Sequence, residues 1–218
     1  MHRNALFLLL LLPQLLVGQV NRKGTWHLAI GASLGAHNTQ YISTSTVSVP
    51  ILGGTYQVRT EENDGAATVL FPIDVQYGLA RPVSVGLFVE PGAYLDSNNT
   101  RTNSLVLFGF QPRAYIINHD RFCWSASLQI GSGSLRINDT EGGVDNEARY
   151  AGPLFGLGSG VGFYFGEHIG LRTDLRYLGS ALRIKDYSEN GQAVDLSAFE
   201  AELNTTGFTL QVALALRF

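Results

Sequence analysis

Arg172, Asp174 and Arg176 stand at alternate positions, and shortly before them Gly156, Gly158, Gly160 and Gly162 repeat with the same period. Alternate residues of an extended strand share a face, so each set reads as part of one wall. If the short turn at 166–168 pairs Phe165 with Ile169, antiparallel register sets Gly162 opposite Arg172, Gly160 opposite Asp174 and Gly158 opposite Arg176. Glycine then leaves room for long arginines to lie across a narrow interior and reach carboxylates on other strands. Asp74 and Glu90 are the candidate partners, and Arg113 is a further cation. Such a cluster serves either as a polar pathway for ions or as a plug that neutralises its own buried charge. The plug is the expectation, because a small closed barrel has an interior just wide enough for side chains to fill.

Other chemistry finds less support. The glycines repeat every second residue and no helix follows, so the dinucleotide-binding fingerprint fails. His27, His119 and His168 lie beside short turns, leaving His37 alone toward the opposite end. Serines and acids surround it, but no spacing supports a triad. The single cysteine, Cys123, reads as a small filler. The histidines and the cysteine form no ligand cluster. No enzymatic activity, metal or cofactor is therefore expected. A formal charge of −3 offers no basic surface for nucleic acid.

The elements that must position these residues follow from the hydropathy pattern. The chain has 218 residues, 45% apolar, 15% charged, with 25 glycines. Its mean hydropathy of +0.08 excludes a bundle of membrane helices. The only long apolar run is at the start, where Arg3 precedes Leu6–Leu12 and small residues follow near Gly18. It reads as a cleaved secretory signal over residues 1–19, too short to span a bilayer with confidence and interrupted by Pro13. Residues 20–218 then form one domain. From Trp26 onward apolar residues fall on every second position, as in Trp26, Leu28, Ile30, Ala32 and Leu34, or Phe208, Leu210, Val212, Leu214, Leu216 and Phe218. Eight such stretches emerge, all with strand periodicity. Long polar connections (roughly 37–66, 96–103, 136–150 and 183–203) alternate with tight turns near 80–82, 118–121 and 166–168. This is the loop pattern of an up-and-down meander with all its long loops at one end.

Within these strands Asp74, Glu90, Arg113, Arg172, Asp174, Arg176 and Arg217 all fall on the parity opposite the apolar set. A lipid-facing Arg or Lys at the bilayer midplane costs about 2–4 kcal/mol, so the segregation fits a barrel turned inside out. Trp26, Tyr77, Phe122, Trp124, Phe165 and Phe218 gather on the apolar face near the tight turns, like an interfacial girdle. Pro72, Pro91 and Pro112 lie within strands, where each removes a ladder hydrogen bond, and either bulges or strand portions above the bilayer are expected there.

With its signal sequence, loop alternation and closing strand Phe208–Phe218, the chain resembles the small eight-stranded outer-membrane barrels of Gram-negative bacteria, the group of the OmpA transmembrane domain, OmpX and OmpW. The resemblance implies an all-β, antiparallel, transmembrane barrel in the outer membrane, in contact with lipid and lipopolysaccharide and monomeric. It also implies that Phe218, the terminal aromatic, is read by the barrel-assembly machinery. Function then falls to envelope stability or to recognition by the external loops, which carry a formal charge of −7 in all. The rival is an OmpW-like conduit for small hydrophobic molecules, suggested by Leu70, Phe88, Leu105 and Leu107 at lumen parity. A lipid A-modifying barrel enzyme is a more distant alternative.

Overall fold

Extended strands of alternating character bury one face and leave the other apolar face outward, and here they close on themselves. The structure is a computed structural model that describes residues 19–49, 54–96, 102–141 and 143–218; the signal segment lies outside these, except Gln19. The strands are β1 (Trp26–Val49), β2 (Gly54–Leu70), β3 (Ile73–Ala80), β4 (Val83–Asp96) and β5 (Thr102–Asn118), followed by β6 (Phe122–Glu141), β7 (Val144–Tyr164), β8 (Ile169–Glu189), β9 (Gln192–Ala193) and β10 (Phe199–Arg217). β2 and β3 are two halves of one stave, both paired with β1 and β4, and β9 is a two-residue ladder on β8. Eight staves remain. All neighbours are antiparallel, and β10 pairs with both β8 and β1, so the ring closes without a free edge around its lower part.

The wall is inverted relative to a soluble barrel. Along β10 the inward positions hold Thr209, Gln211, Ala213, Ala215 and Arg217, all buried, while Phe208, Leu210, Val212 and Leu214 lie exposed outside. The same inversion leaves Ile30, Leu87, Phe110, Ile130, Leu157 and Leu175 on the outer surface. In water such a surface would aggregate; in a bilayer it is the solvated face.

Three of the connections expected as loops are strand for most of their length. β1 and β2 run antiparallel from Ser33↔Leu70 out to Val49↔Gly54, β6 and β7 out to Glu141↔Val144, and β8 continues to Glu189. Thr39, Ile42, Thr44 and Thr46 are β-formers by side-chain shape, and the run Tyr41–Thr46 is half-buried on both faces, so it loses the in-out alternation without leaving the strand. β1, with 24 residues, is far longer than the 9–11 residues, roughly, that a tilted strand needs to span a membrane. The hairpins therefore stand well above the bilayer.

The prolines are accommodated without bulges of their own. Pro72 divides β2 from β3, and its carbonyl accepts Gly31 N–H at 3.0 Å. Pro91 stays in register opposite Val106 and accepts Phe71 N–H at 2.8 Å. Pro112 keeps its place opposite Val85, while pairing to β6 lapses between Phe110↔Ile130 and Arg113↔Ser127 at constant register. A strand residue gives its N–H to one neighbour only, so each proline loses one bond and the chain need not shift. The bulges fall elsewhere, between Gly78 and Ala80, Tyr115 and Ile117, and Arg149 and Tyr150.

Candidate functional site

The lumen has two storeys, and the lower one, nearer the short turns, holds every charge singled out above. Asp74, Glu90, Arg113, Arg172, Asp174 and Arg176 all point inward from β3, β4, β5 and β8, and none is more than 6% exposed. Three arginines thus meet three carboxylates in a space without bulk water. Arg172 donates Nε to Asp174 Oδ2 at 2.7 Å and grips Asp74 with both terminal nitrogens, Nη1 reaching Oδ1 at 3.2 Å and Nη2 bonding Oδ2. Arg176 forks onto Glu90, with Nη1 on Oε1 and Nη2 on Oε2 at 3.1 Å, and also donates to Ser33 Oγ at 3.3 Å. Gln129 Nε2 completes the Glu90 shell at 3.3 Å. Paired forks of this kind hold both position and plane, which a lysine would not.

Arg113 sits in an amide relay rather than in a fork. It donates Nη2 to Gln111 Oε1 at 3.3 Å, Gln76 Nε2 donates to the same oxygen at 3.1 Å, and Ser84 Oγ donates to Gln76 Oε1 at 3.1 Å. Its Nε has no hydrogen-bond partner among the described residues.

The β7–β8 register sets Gly158, Gly160 and Gly162 opposite Arg176, Asp174 and Arg172. What each glycine clears is more varied than room for arginine. A Cβ on Gly160 would strike Asp174 Oδ1, one on Gly158 would stand 2.7 Å from Ser127 Oγ and 3.0 Å from Arg176 Cγ, and one on Gly162 would come within 2.9 Å of Cys123 Sγ. On Gly156 the obstacle is Leu178 Cδ2. Cys123 is buried.

Above this lies a storey that the sequence reading largely missed. Leu70, Phe88, Leu105 and Leu107 are joined by Tyr94, Leu135, Tyr150, Leu154, Leu178, Leu182 and Leu203 in one buried apolar cluster. Leu178 and Leu182 continue the inward parity of Arg172, Asp174 and Arg176, and Leu154 that of the glycine strip, so the signal began two residues beyond where each pattern was followed. A cavity of about 30 Å³ remains among these side chains, above the roughly 10–15 Å³ that one water needs.

His37 lies at the wall of this apolar storey, where its Nε2 bonds Thr68 Oγ1 at 2.9 Å and its Nδ1 finds no partner among the described residues. Among the described residues, no serine or acid hydrogen-bonds to His37 in the order a triad requires. Trp26, Tyr77, Trp124 and Phe165 sit on the outer wall near the short turns: Trp26 and Tyr77 are in ring contact at 4.9 Å, and Trp124 donates Nε1 to Ser159 Oγ at 2.9 Å. Phe218 is exposed on the same rim, its backbone paired to Trp26 in both directions.

No protein-family model matches the chain, and no curated protein matches it either. Among solved structures, the outer membrane protein OprG from Pseudomonas aeruginosa is similar at a TM-score of 0.57 and 10% identity, over 91% of this chain and 97% of that one. Neisserial surface protein A is similar at 0.50 and 11% identity, over 90% and 98%. At such identities the likeness is one of fold, and it joins an independent physical finding, an apolar outer wall around a charged interior. The chain is a small eight-stranded transmembrane β-barrel of the kind found in the bacterial outer membrane.

Proposed function

We propose that the protein is a closed, non-enzymatic barrel that holds extended hairpins at the cell surface, contributing to envelope stability and recognition. One observation carries this reading: the lumen is occupied by paired, buried charges below and by a buried cluster of leucines above, with a cavity of only about 30 Å³ among the leucines. A pathway for ions would need an unbroken polar channel, and the apolar storey interrupts it. The hairpins support the recognition half. Among the described residues, β2 pairs with β4 only over Ala66–Leu70, so the outer edge of its membrane-distal part has no partner strand there. Such edges offer main-chain hydrogen bonds to an incoming extended segment. On the same reading the outer wall meets lipid and lipopolysaccharide, and Phe218 marks the last strand for assembly.

Planar-bilayer recording of the folded protein tests it, with no unitary conductance expected; steady ion-selective steps would sink it. A second reading, a conduit for small hydrophobic molecules, draws on the apolar lining of the upper storey. Uptake of a fluorescent apolar probe by proteoliposomes, above that of empty liposomes, would favour the conduit.

A further inference from the structure

Residues 19–25, ahead of β1, do not trail away from the barrel. They turn into its short-turn mouth, where Val20 and Asn21 are 1% and 0% exposed. Asn21 uses its whole amide there. Nδ2 donates to the carbonyls of Ala80 at 2.8 Å and Arg81 at 3.1 Å, and Oδ1 bonds His27 Nε2 at 3.2 Å. Its backbone N–H donates to Asn118 Oδ1 at 2.9 Å, while Asn118 Nδ2 donates back to Asn21 O at 2.7 Å. Val20 N–H donates to His119 O at 3.0 Å, and its side chain joins Tyr115, Cys123, Tyr164 and Ala215 in one buried cluster.

The mouth is shaped to receive this segment. Arg217, the penultimate residue, donates Nη1 to Gln19 O at 3.3 Å and Asp120 O at 3.0 Å, and Nη2 to Gly166 O at 3.3 Å. It also lies 4.7 Å over the Tyr164 ring. A Cβ on Gly78 would collide with Arg22 O, and Gly24 takes φ +89°, a conformation that side chains resist, to turn the chain into β1. The seat therefore draws on all three short turns and on the last strand. β10 supplies the Arg217 side of the seat.

We propose that residues 20–25 form a built-in cork, bound in the periplasmic mouth of the barrel and sealing the lower storey from the periplasm. Asn21 is its anchor and Arg217 its clasp. The seal is distinct from the charged plug above it, and it stands whether or not the lumen conducts.

Cys123, beneath Val20 and 4% exposed, is a native reporter. The experiment follows its labelling by a small charged methanethiosulfonate in the folded full-length protein in detergent micelles. Slow labelling of the wild type is expected, with complete labelling after boiling. Asn21→Ala strands carbonyls of the mouth, and Val20→Gly removes the cover. Each should speed labelling about tenfold or more, the scale of losing a buried hydrogen-bonded anchor. Bilayer conductance should stay at the wild-type level, because the Arg172 and Arg176 forks still block the lumen. Variants that keep the heat-shifted gel mobility of a folded barrel yet label at the wild-type rate would overturn the cork. Should neither variant fold, amide exchange in the wild type decides. The Asn21 amide, bonded to Asn118 Oδ1, should be protected like those of β1, and exchange at the rate of an unstructured peptide would overturn the proposal.

Discussion

The two storeys of the lumen are filled by opposite means. Below, a few long side chains are held by geometry: Arg172 and Arg176 each cross the interior to a carboxylate that only their register can reach. Above, many leucines are held by volume alone. The lower storey tolerates little change in shape or charge, because a buried ion whose partner is removed cannot be solvated. The upper storey pays only for lost packing and can relax around a substitution. Polar groups near the mouth and an apolar layer above them make two seals that fail in different ways, and the difference can be measured.

The largest effect is expected from Glu90→Ala, which strips the fork from Arg176 at a site 1% exposed on the arginine side chain. Removing one partner of a buried pair costs about 3–5 kcal/mol, read as a lowered denaturant midpoint for unfolding from lipid vesicles. Glu90→Gln keeps an acceptor and should lose less, about 1–3 kcal/mol. If the two variants unfold together at the wild-type midpoint, the forks add nothing to stability and the contrast between storeys fails.

Leu135→Ala comes next. Leu135 is fully buried at the centre of the apolar storey, and such truncations cost about 2–5 kcal/mol, the lower end being expected where neighbouring leucines can move inward. The new hole is apolar, so it should stay dry and take up a benzene-sized probe. The same probe should not bind to Glu90→Ala, whose vacancy is polar and suited to water. Binding to both variants, or to neither, would break the comparison.

Gly160→Ala tests the fit of the glycine strip. The added methyl meets Asp174 Oδ1 and stands 3.1 Å from Thr173 O, so Asp174 must swing away from Arg172. A cost of about 1–3 kcal/mol is expected for overpacking, again by denaturant midpoint. Gly65→Ala, where a Cβ meets nothing within 4 Å, is the control and should be near neutral.

How much of this was legible beforehand follows from the same contrast. Parity alone separated Asp74, Glu90, Arg113, Arg172, Asp174 and Arg176 from the lipid-facing set, since a charge facing lipid is strongly unfavourable. The pairing of Gly158 with Arg176 needed only one tight turn as an anchor. Leu178 and Leu203 were harder, because a leucine facing inward looks like a leucine facing lipid. The hairpin ends were misjudged for a related reason: alternation weakens along the half-buried run Tyr41–Thr46, although the backbone pairing continues. Residues 19–25 left no trace at all, since the partners of Asn21 are backbone carbonyls of turns distant in sequence.

The smallest effect belongs to the hairpins. Arg136 and Glu147 are paired at 3.2 Å with side chains 54% and 46% exposed, the same chemistry as Arg176 and Glu90 in a different solvent. Exposed pairs contribute about 0.2–1 kcal/mol and are screened by salt, so Arg136→Ala should shift the midpoint barely, and the shift should vanish at high ionic strength. The Glu90→Ala loss should persist there, because counterions do not enter a filled lumen. A salt-insensitive loss at Arg136 comparable with that at Glu90 would mean that the hairpins are as constrained as the plug. A negligible loss supports the opposite economy of sequence: a barrel whose interior leaves its surface free to change is suited to presenting variable contacts outside the cell.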